Sequence, residues 1–231
     1  MIHNIKLGGI TIEVIKKEIR NLHLNVLPPN GLVRISAPTR MDIKTIRLFA
    51  ISKLSWIKKQ QNQFRSQNRE QPREYITRES HFLWGKRYLL QVIEKNEPPK
   101  ILLQHSKIIL QVRPKSSADC KRTVFSKWYR QELQKHVAPL ISKWEKRLGV
   151  KVKDVTIRKM KTRWGSCNSK SGRILLNTEL GKKPKSCIEY IVVHEMIHLL
   201  EHSHNKRFIA LMDRHMPQWK HQKAILRRLP I

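Results

Sequence analysis

The sequence predicts an α+β protein, β-rich over residues 1–115 and helical over residues 116–231. Three observations lead there. Apolar and polar residues alternate through much of the first half, the mark of half-buried strands. Apolar residues recur at helical spacing through much of the second. Within that second half stands His194-Glu195-Met196-Ile197-His198, followed six residues later by His204.

Taken in order, Ile10-Thr11-Ile12-Glu13-Val14-Ile15 alternates, and so does Leu22-His23-Leu24-Asn25-Val26-Leu27. Pro28-Pro29-Asn30-Gly31 then turns the chain into Leu32-Val33-Arg34-Ile35-Ser36, a hairpin. Asp42 opens a helix whose apolar positions are Ile43, Ile46, Phe49, Ala50, Leu54 and Ile57. That helix fades into the polar stretch 60–73, a linker or exposed helix end. A hairpin bending at Gly85 follows within 82–90, and strands at 100–103 and 108–112 flank a polar turn.

Val124, Trp128, Leu133, Val137, Leu140, Trp144 and Leu148 then form a helical stripe ending at Gly149, so Trp128 and Trp144 are core residues. Strands are expected at 152–157 and 173–177, with turn material at 168–172. Ser186-Cys187-Ile188-Glu189 fits a capping box opening the motif helix, just after Pro184. No internal repeat at solenoid periods is visible.

Composition narrows the function. A chain of 231 residues has room for one large or two small domains with real cores, and 39% hydrophobic residues mark it as globular. No apolar run reaches the ~18 residues a membrane span needs, and residues 1–17 hold no signal-type stretch. The expected location is the cytoplasm, away from membranes. Cys120, Cys167 and Cys187 are odd in number and lack a CxxC pair, which excludes a disulfide framework or a cysteine-rich zinc site. They read as reduced thiols, with Cys167 compatible with a pocket. The formal net charge of +31 points to an anionic substrate or polyanion, whether nucleotide, nucleic acid or acidic protein. A general compositional bias is the plainer reading. The cations run along the whole chain, so no single patch stands out, and no stable protein partner is predicted.

The histidine motif carries the chemistry. Two histidines four apart on a helix project from one face about 6 Å apart, so both imidazoles reach one metal ion. Glu195 stands beside the first and is placed to act as general base on a metal-activated water. A third donor beyond the helix leaves a fourth coordination position open, as catalytic zinc requires. Glu201, His202 and His204 compete for that role. In an unbroken helix His202 lies about 12 Å along the axis from His194, too far for metal bonds of about 2 Å. Glu201 is placed either to bind the metal or to hydrogen-bond a ligand. His204 fits if the helix ends near His202 and the chain turns back, with Ser203 capping a new helix that carries Phe208, Leu211 and Met212. His204 is favoured, with Glu201 and His202 as alternatives. Three imidazoles and an open position suit Zn2+, with manganese, iron or nickel as other divalent possibilities.

The spacing matches the long zincin motif, but Glu201 occupies the position of the usual metzincin turn glycine, which argues against a true metzincin. His204-x-x-x-Phe208 and the upstream Arg163-Trp164-Gly165-Ser166-Cys167 together resemble the YgjP-like family of metal-dependent hydrolases, relatives of the SprT and WLM zincins. The match is most specific over residues 160–219. The resemblance implies a zincin-like helical metal-binding domain with a small sheet, a helix pair holding the metal over it. It implies His194, His198 and His204 as ligands and Glu195 as base. Such families are named metallopeptidases from the motif, and some members carry a nucleotide pyrophosphatase assignment.

Peptide-bond hydrolysis is the default for this motif on a helix. Arg158, Lys159, Lys161 and Arg163, a cationic run leading into Trp164, suggest an alternative. In a nucleoside triphosphate pyrophosphatase, Arg158, Lys161, Arg163 and Trp164 would bind substrate, the cations steadying phosphate charge. A solvated basic face and a packed indole are the plain readings of the same residues. A nucleic-acid-associated protein with protease activity is a further alternative, although the chain shows no helix-turn-helix, RRM or finger signature.

Overall fold

A computed structural model describes residues 2–27, 30–66 and 73–228. The chain divides into two compact units, Met1–Arg69 and Glu70–Ile231. The change from strands to helix expected near residue 115 lies inside the second unit.

In the first unit, strands β1 (Ile2–Leu7), β2 (Ile10–Lys17), β3 (His23–Leu27) and β4 (Leu32–Pro38) form a sheet in the order β1-β2-β4-β3. Strand β1 was not expected from the alternation. Gly8 and Gly9, at φ +51° and +81°, make the tight two-residue turn that folds it onto β2. The β3–β4 hairpin is present, but Pro28 and Pro29 of its expected turn lie outside the described residues. Helix α1 (Ile43–Ser52) starts where Asp42 accepts a hydrogen bond from the Thr45 amide. The single helix expected here is two. Lys53 bonds back to the Ala50 carbonyl at 3.2 Å, a tighter turn that restarts the chain as α2 (Leu54–Ser66). Ile46, Ala50 and Ile57 pack with Ile12, Val14, Val33 and Ile35 to form this unit's core. Of the polar stretch 60–73, residues 60–66 are the end of α2 and 67–72 lie outside the described residues.

The second unit repeats the same strand topology. Strands β5 (Ser80–Leu83), β6 (Lys86–Glu94), β7 (Lys100–Gln104) and β8 (Lys107–Val112) are ordered β5-β6-β8-β7, with the parallel pair again central. Trp84 and Gly85, both at positive φ, form the β5–β6 turn at the expected place. Helix α3 (Ala118–Leu148) runs from a Ser117 cap to a left-handed Gly149. Its buried ladder is Phe125, Tyr129, Leu133, Val137, Ile141, Trp144 and Leu148. Phe125, Tyr129 and Ile141 thus replace the expected Val124, Trp128 and Leu140, which are only half-buried. The expected stripe was one position out of phase at those three sites.

Helix α3 joins two cores. Its first half packs on the β5–β8 sheet, and its second half enters the core around the histidine helix. There a three-stranded sheet is ordered β10-β11-β9, from β9 (Asp154–Arg158), β10 (Gly165–Asn168) and β11 (Arg173–Asn177). A short 3-10 turn over Thr178–Lys182 leads to helices α4 (Lys185–Ile197), α5 (Lys206–His215) and α6 (Trp219–Arg228). The fold is α+β. Among the described residues no helix is long and apolar enough to cross a membrane.

Candidate metal centre

Helix α4 is apolar on almost every side, with Ile188, Tyr190, Ile191, Val192, Val193, Met196 and Ile197 all buried, as befits a central helix. Its start is fixed from outside. The amides of Trp84 and Gly85 donate to the Gly181 and Lys182 carbonyls at 2.9 and 3.2 Å, seating the hairpin tip against the segment that launches the helix. A Cβ at Gly85 would lie 2.9 Å from Pro184 Cγ. The expected Ser186–Glu189 capping box is absent. The cap is Pro184, two residues earlier, and Glu189 Oε1 instead accepts from Trp144 Nε1 at 2.9 Å and Lys143 Nζ at 2.7 Å. Those two donors on α3 outcompete a local cap.

The helix ends at Ile197, sooner than expected. The amides of Leu199, Leu200 and Glu201 fold back onto Met196 and Ile197 carbonyls, and the chain reverses within a few residues. Asn205, not Ser203, caps α5 by accepting from the Phe208 amide at 3.0 Å. The Ser203 amide is itself used, donating to Glu201 Oε1 at 3.2 Å.

This reversal brings three imidazoles together. Ligand atoms of His194, His198 and His204 all lie within 4.8 Å of one another, and the Nε2 atoms of His194 and His204 approach to 3.0 Å. The buried Phe208 ring backs all three, with centroids 5.0 Å from His194 and 4.7 Å from His198 and His204. His198 Nδ1 lies 3.0 Å from the Glu201 carbonyl. Donation there leaves its Nε2 lone pair for the cluster, the arrangement that orients metal-binding histidines. Glu201 therefore meets the site through its backbone, and neither its carboxylate nor His202 belongs to the cluster. Burial first, then His198, His204 and Lys223, push His194 down to about 3, and burial likewise lowers His204. Neutral imidazoles with free lone pairs are what a divalent metal needs, so the donor set fits one.

Glu195 is only 5% exposed. Burial pushes its carboxyl up to about 7, with Arg163 pulling in the other direction. It rests on the backbone of β10 at Gly165 and shares a cleft of about 890 Å³ with the histidines. Cys167 also faces this cleft, and burial, followed by Glu195, pushes its thiol up to about 11.

Of the sequence-derived substrate residues, Arg163 and Trp164 line the cleft, whereas Arg158 and Lys161 do not. Trp164 also packs on the core, with Lys183 Nζ 5.4 Å from its ring centre. Two elements escaped the sequence reading. The first is Asn177, 1% exposed, whose amide nitrogen donates to the carbonyls of Met160 and Arg163 at 3.0 and 2.8 Å. Its Oδ1 accepts from the amides of Met160 and Glu179, so one side chain holds the loop that carries Arg163 and Trp164. The second is α6, whose Trp219, Lys223 and Leu226 wall the cleft. Their spacing of four and three residues was the available signal.

Comparison with known proteins settles the relationship. Residues 20–229 match the family described as YgjP-like, metallopeptidase domain. The chain belongs to the YgjP-like family. Among solved structures it is similar to the metallopeptidase zymogen abylysin of Pyrococcus abyssi, with 23% identity over 41% of this chain and 99% of that one at a TM-score of 0.37. It is also similar to the zymogen jannalysin of Methanocaldococcus jannaschii, with 18% identity, 39% and 87% coverage and a TM-score of 0.36. No curated protein matches the chain significantly. As a YgjP-like metallopeptidase domain, the chain is a metal-dependent, peptidase-like hydrolase, and a divalent metal is its cofactor.

Proposed function

We propose that this YgjP-like chain is a zinc hydrolase of peptide bonds in which His194, His198 and His204 hold the metal and Glu195 is the general base. The observation that carries the reading is the buried Glu195 carboxylate next to three converging imidazoles in one open cleft. When bound, the metal supplies a Lewis acid that acidifies water and polarises the bond under attack. Glu195 takes the proton from that water and returns it to the leaving amine. Its proton affinity, raised by burial to about 7, suits both transfers near neutral pH.

Peptide is favoured as substrate by strand β10. Among the described residues it stands at the edge of its sheet, paired only with β11, and Gly165, Ser166 and Cys167 line the cleft. An extended peptide added along that edge gains main-chain hydrogen bonds and passes the histidine cluster. A second reading, nucleoside triphosphate pyrophosphatase, draws support from charge. Glu195 is the only acid lining the cleft among the described residues, while Arg163 and Lys223 are both there. In either reading these two cations favour substrates with anionic groups.

Wild type and Glu195→Gln, both metal-loaded, would be screened against an unfolded protein and a nucleoside triphosphate. Chelator-sensitive peptide cleavage that disappears in the variant is expected. Pyrophosphate release without peptide cleavage would replace the peptidase reading with the second, and full activity of the variant would remove Glu195 as base.

A further inference from the structure

We propose that the outward face of helices α1 and α2 binds single-stranded nucleic acid, a function separate from the histidine site. Residues 43–62 hold Lys44, Arg47, Lys53, Lys58 and Lys59 and not one acidic residue. Among the described residues none of the five is in an ion pair. Helix α3 differs in carrying acids among its cations, with Arg122 and Lys135 matched by its own Asp119 and Glu132, and Lys143 by Glu189. A run of unpaired cations on a folded surface is an electrostatic footprint for a polyanion.

Aromatic chemistry makes the footprint more specific. The chain has six tryptophans. Lysine or arginine lies over Trp84, Trp144, Trp164 and Trp219, and Trp128 packs against Phe125 and Tyr129. Among the described residues only Trp56 carries neither a cation nor another ring. It is 44% exposed at the start of α2, one turn from Lys59. On α1, Lys44, Arg47, Leu48 and Ile51 fall at i, i+3, i+4 and i+7, one outward stripe, with Leu48 68% and Ile51 48% exposed. The opposite face is taken up by Ile46 and Ala50 in the core, so this stripe has no partner within its own unit.

An open indole on α2, and on α1 apolar side chains interleaved with cations, offer the chemistry on which bases stack while phosphates are neutralised. An anionic membrane fits less well. Interfacial helices segregate apolar from basic residues, whereas here Lys44 and Arg47 share the stripe with Leu48 and Ile51, so burying one would bury the other.

The test uses the full chain, a fluorescein-labelled 20-nucleotide oligothymidylate and anisotropy across a salt series. Three variants at exposed positions are compared with wild type after circular dichroism confirms folding. Trp56→Ala is expected to weaken binding roughly 5- to 150-fold, the value of a lost base stack. Lys44→Glu with Arg47→Glu is expected to lower the log–log salt slope by about 1.4. Lys127→Glu with Arg130→Glu, the same charge change on α3, is expected to leave the oligonucleotide affinity within about twofold of wild type, since those exposed charges belong to the second unit and not to α1 or α2. Equal losses in both charge-reversal variants would overturn the proposal in favour of diffuse attraction by net charge. Wild-type affinity in Trp56→Ala would overturn it too. So would tight binding to phosphatidylserine vesicles with none to the oligonucleotide. Glu195→Gln is expected to bind the oligonucleotide like wild type, so a failed hydrolase assignment leaves this result standing.

Discussion

A Cβ at Gly165 would lie 2.7 Å from Glu195 Oε1 and 2.8 Å from its Cγ, so the backbone of β10 rests directly on the carboxylate. The strand that lines the cleft is thereby also the floor that sets where the carboxylate stands. Gly165→Ala must displace one or the other. A misplacement of about 1 Å at a reacting group costs on the order of 10²-fold in rate. Turnover of Gly165→Ala is expected to fall by about that factor with metal content unchanged. Turnover at the wild-type level would separate the glycine from the positioning of Glu195.

Asn177 makes a comparable contribution through four hydrogen bonds, three to the loop ahead of β10 and one to the amide of Glu179. Asn177→Leu leaves the carbonyls of Met160 and Arg163 and the amides of Met160 and Glu179 without that partner. Buried backbone groups stripped of partners cost about 1–3 kcal/mol each, partly recovered by relaxation. Urea denaturation is expected to show a loss of about 2–4 kcal/mol. A loss below about 0.5 kcal/mol, the size of an ordinary surface substitution, would show that the loop holds itself.

Much of this site is legible in the sequence, for a local reason. His194 and His198 share a helix face whatever the rest of the chain does, and a chain reversal is the plain route for His204 to join them. What is not legible depends on partners distant in sequence. Ser186 and Glu189 spell a capping box, but Glu189 is claimed by Trp144 and Lys143 on α3, more than forty residues away. Ser203 looks like a helix cap, but Glu201 takes its amide and Asn205 caps instead. Gly165 reads as part of a motif without revealing what it touches. The same holds at fold level: the β3–β4 and β5–β6 hairpins follow from their turns, while the parallel pairs β2–β4 and β6–β8 join strands that no turn connects.

Glu189 links α4 to α3 in a pH-dependent way. Burial acts to raise its carboxyl, but the bonds from Lys143 and Trp144, with Arg147 nearby, outweigh that and hold it below the ordinary range. A carboxyl lowered in the folded state contributes stability above its unfolded pKa, about 4.3, and loses it as pH falls through the lower folded value. Glu189→Gln is therefore expected to be less stable than wild type by about 1 kcal/mol at pH 7, a partly exposed pair. The gap is expected to close below about pH 4. A gap of the same size at pH 7 and pH 3 would show that packing, not charge, is at stake.

The three thiols differ in environment. Cys120 is exposed, Cys187 is buried, and Cys167 is pushed up to about 11 beside Glu195. Burial also raises Cys187. Thiolate is the reactive form, so an aromatic disulfide reagent at pH 8 is expected to modify Cys120 promptly in the native chain. Cys167 and Cys187 are expected to react only on unfolding. Prompt labelling of Cys167 would mean that the cleft leaves its sulfur in a more polar setting.

Metal content per chain after zinc loading and exhaustive dialysis tests the proposed centre most directly, compared across wild type, Glu195→Gln, Glu201→Gln and His204→Ala. One equivalent is expected in wild type, Glu195→Gln and Glu201→Gln, and a clear loss in His204→Ala. Full zinc in His204→Ala, or its loss in Glu201→Gln, would contradict a centre built from His194, His198 and His204.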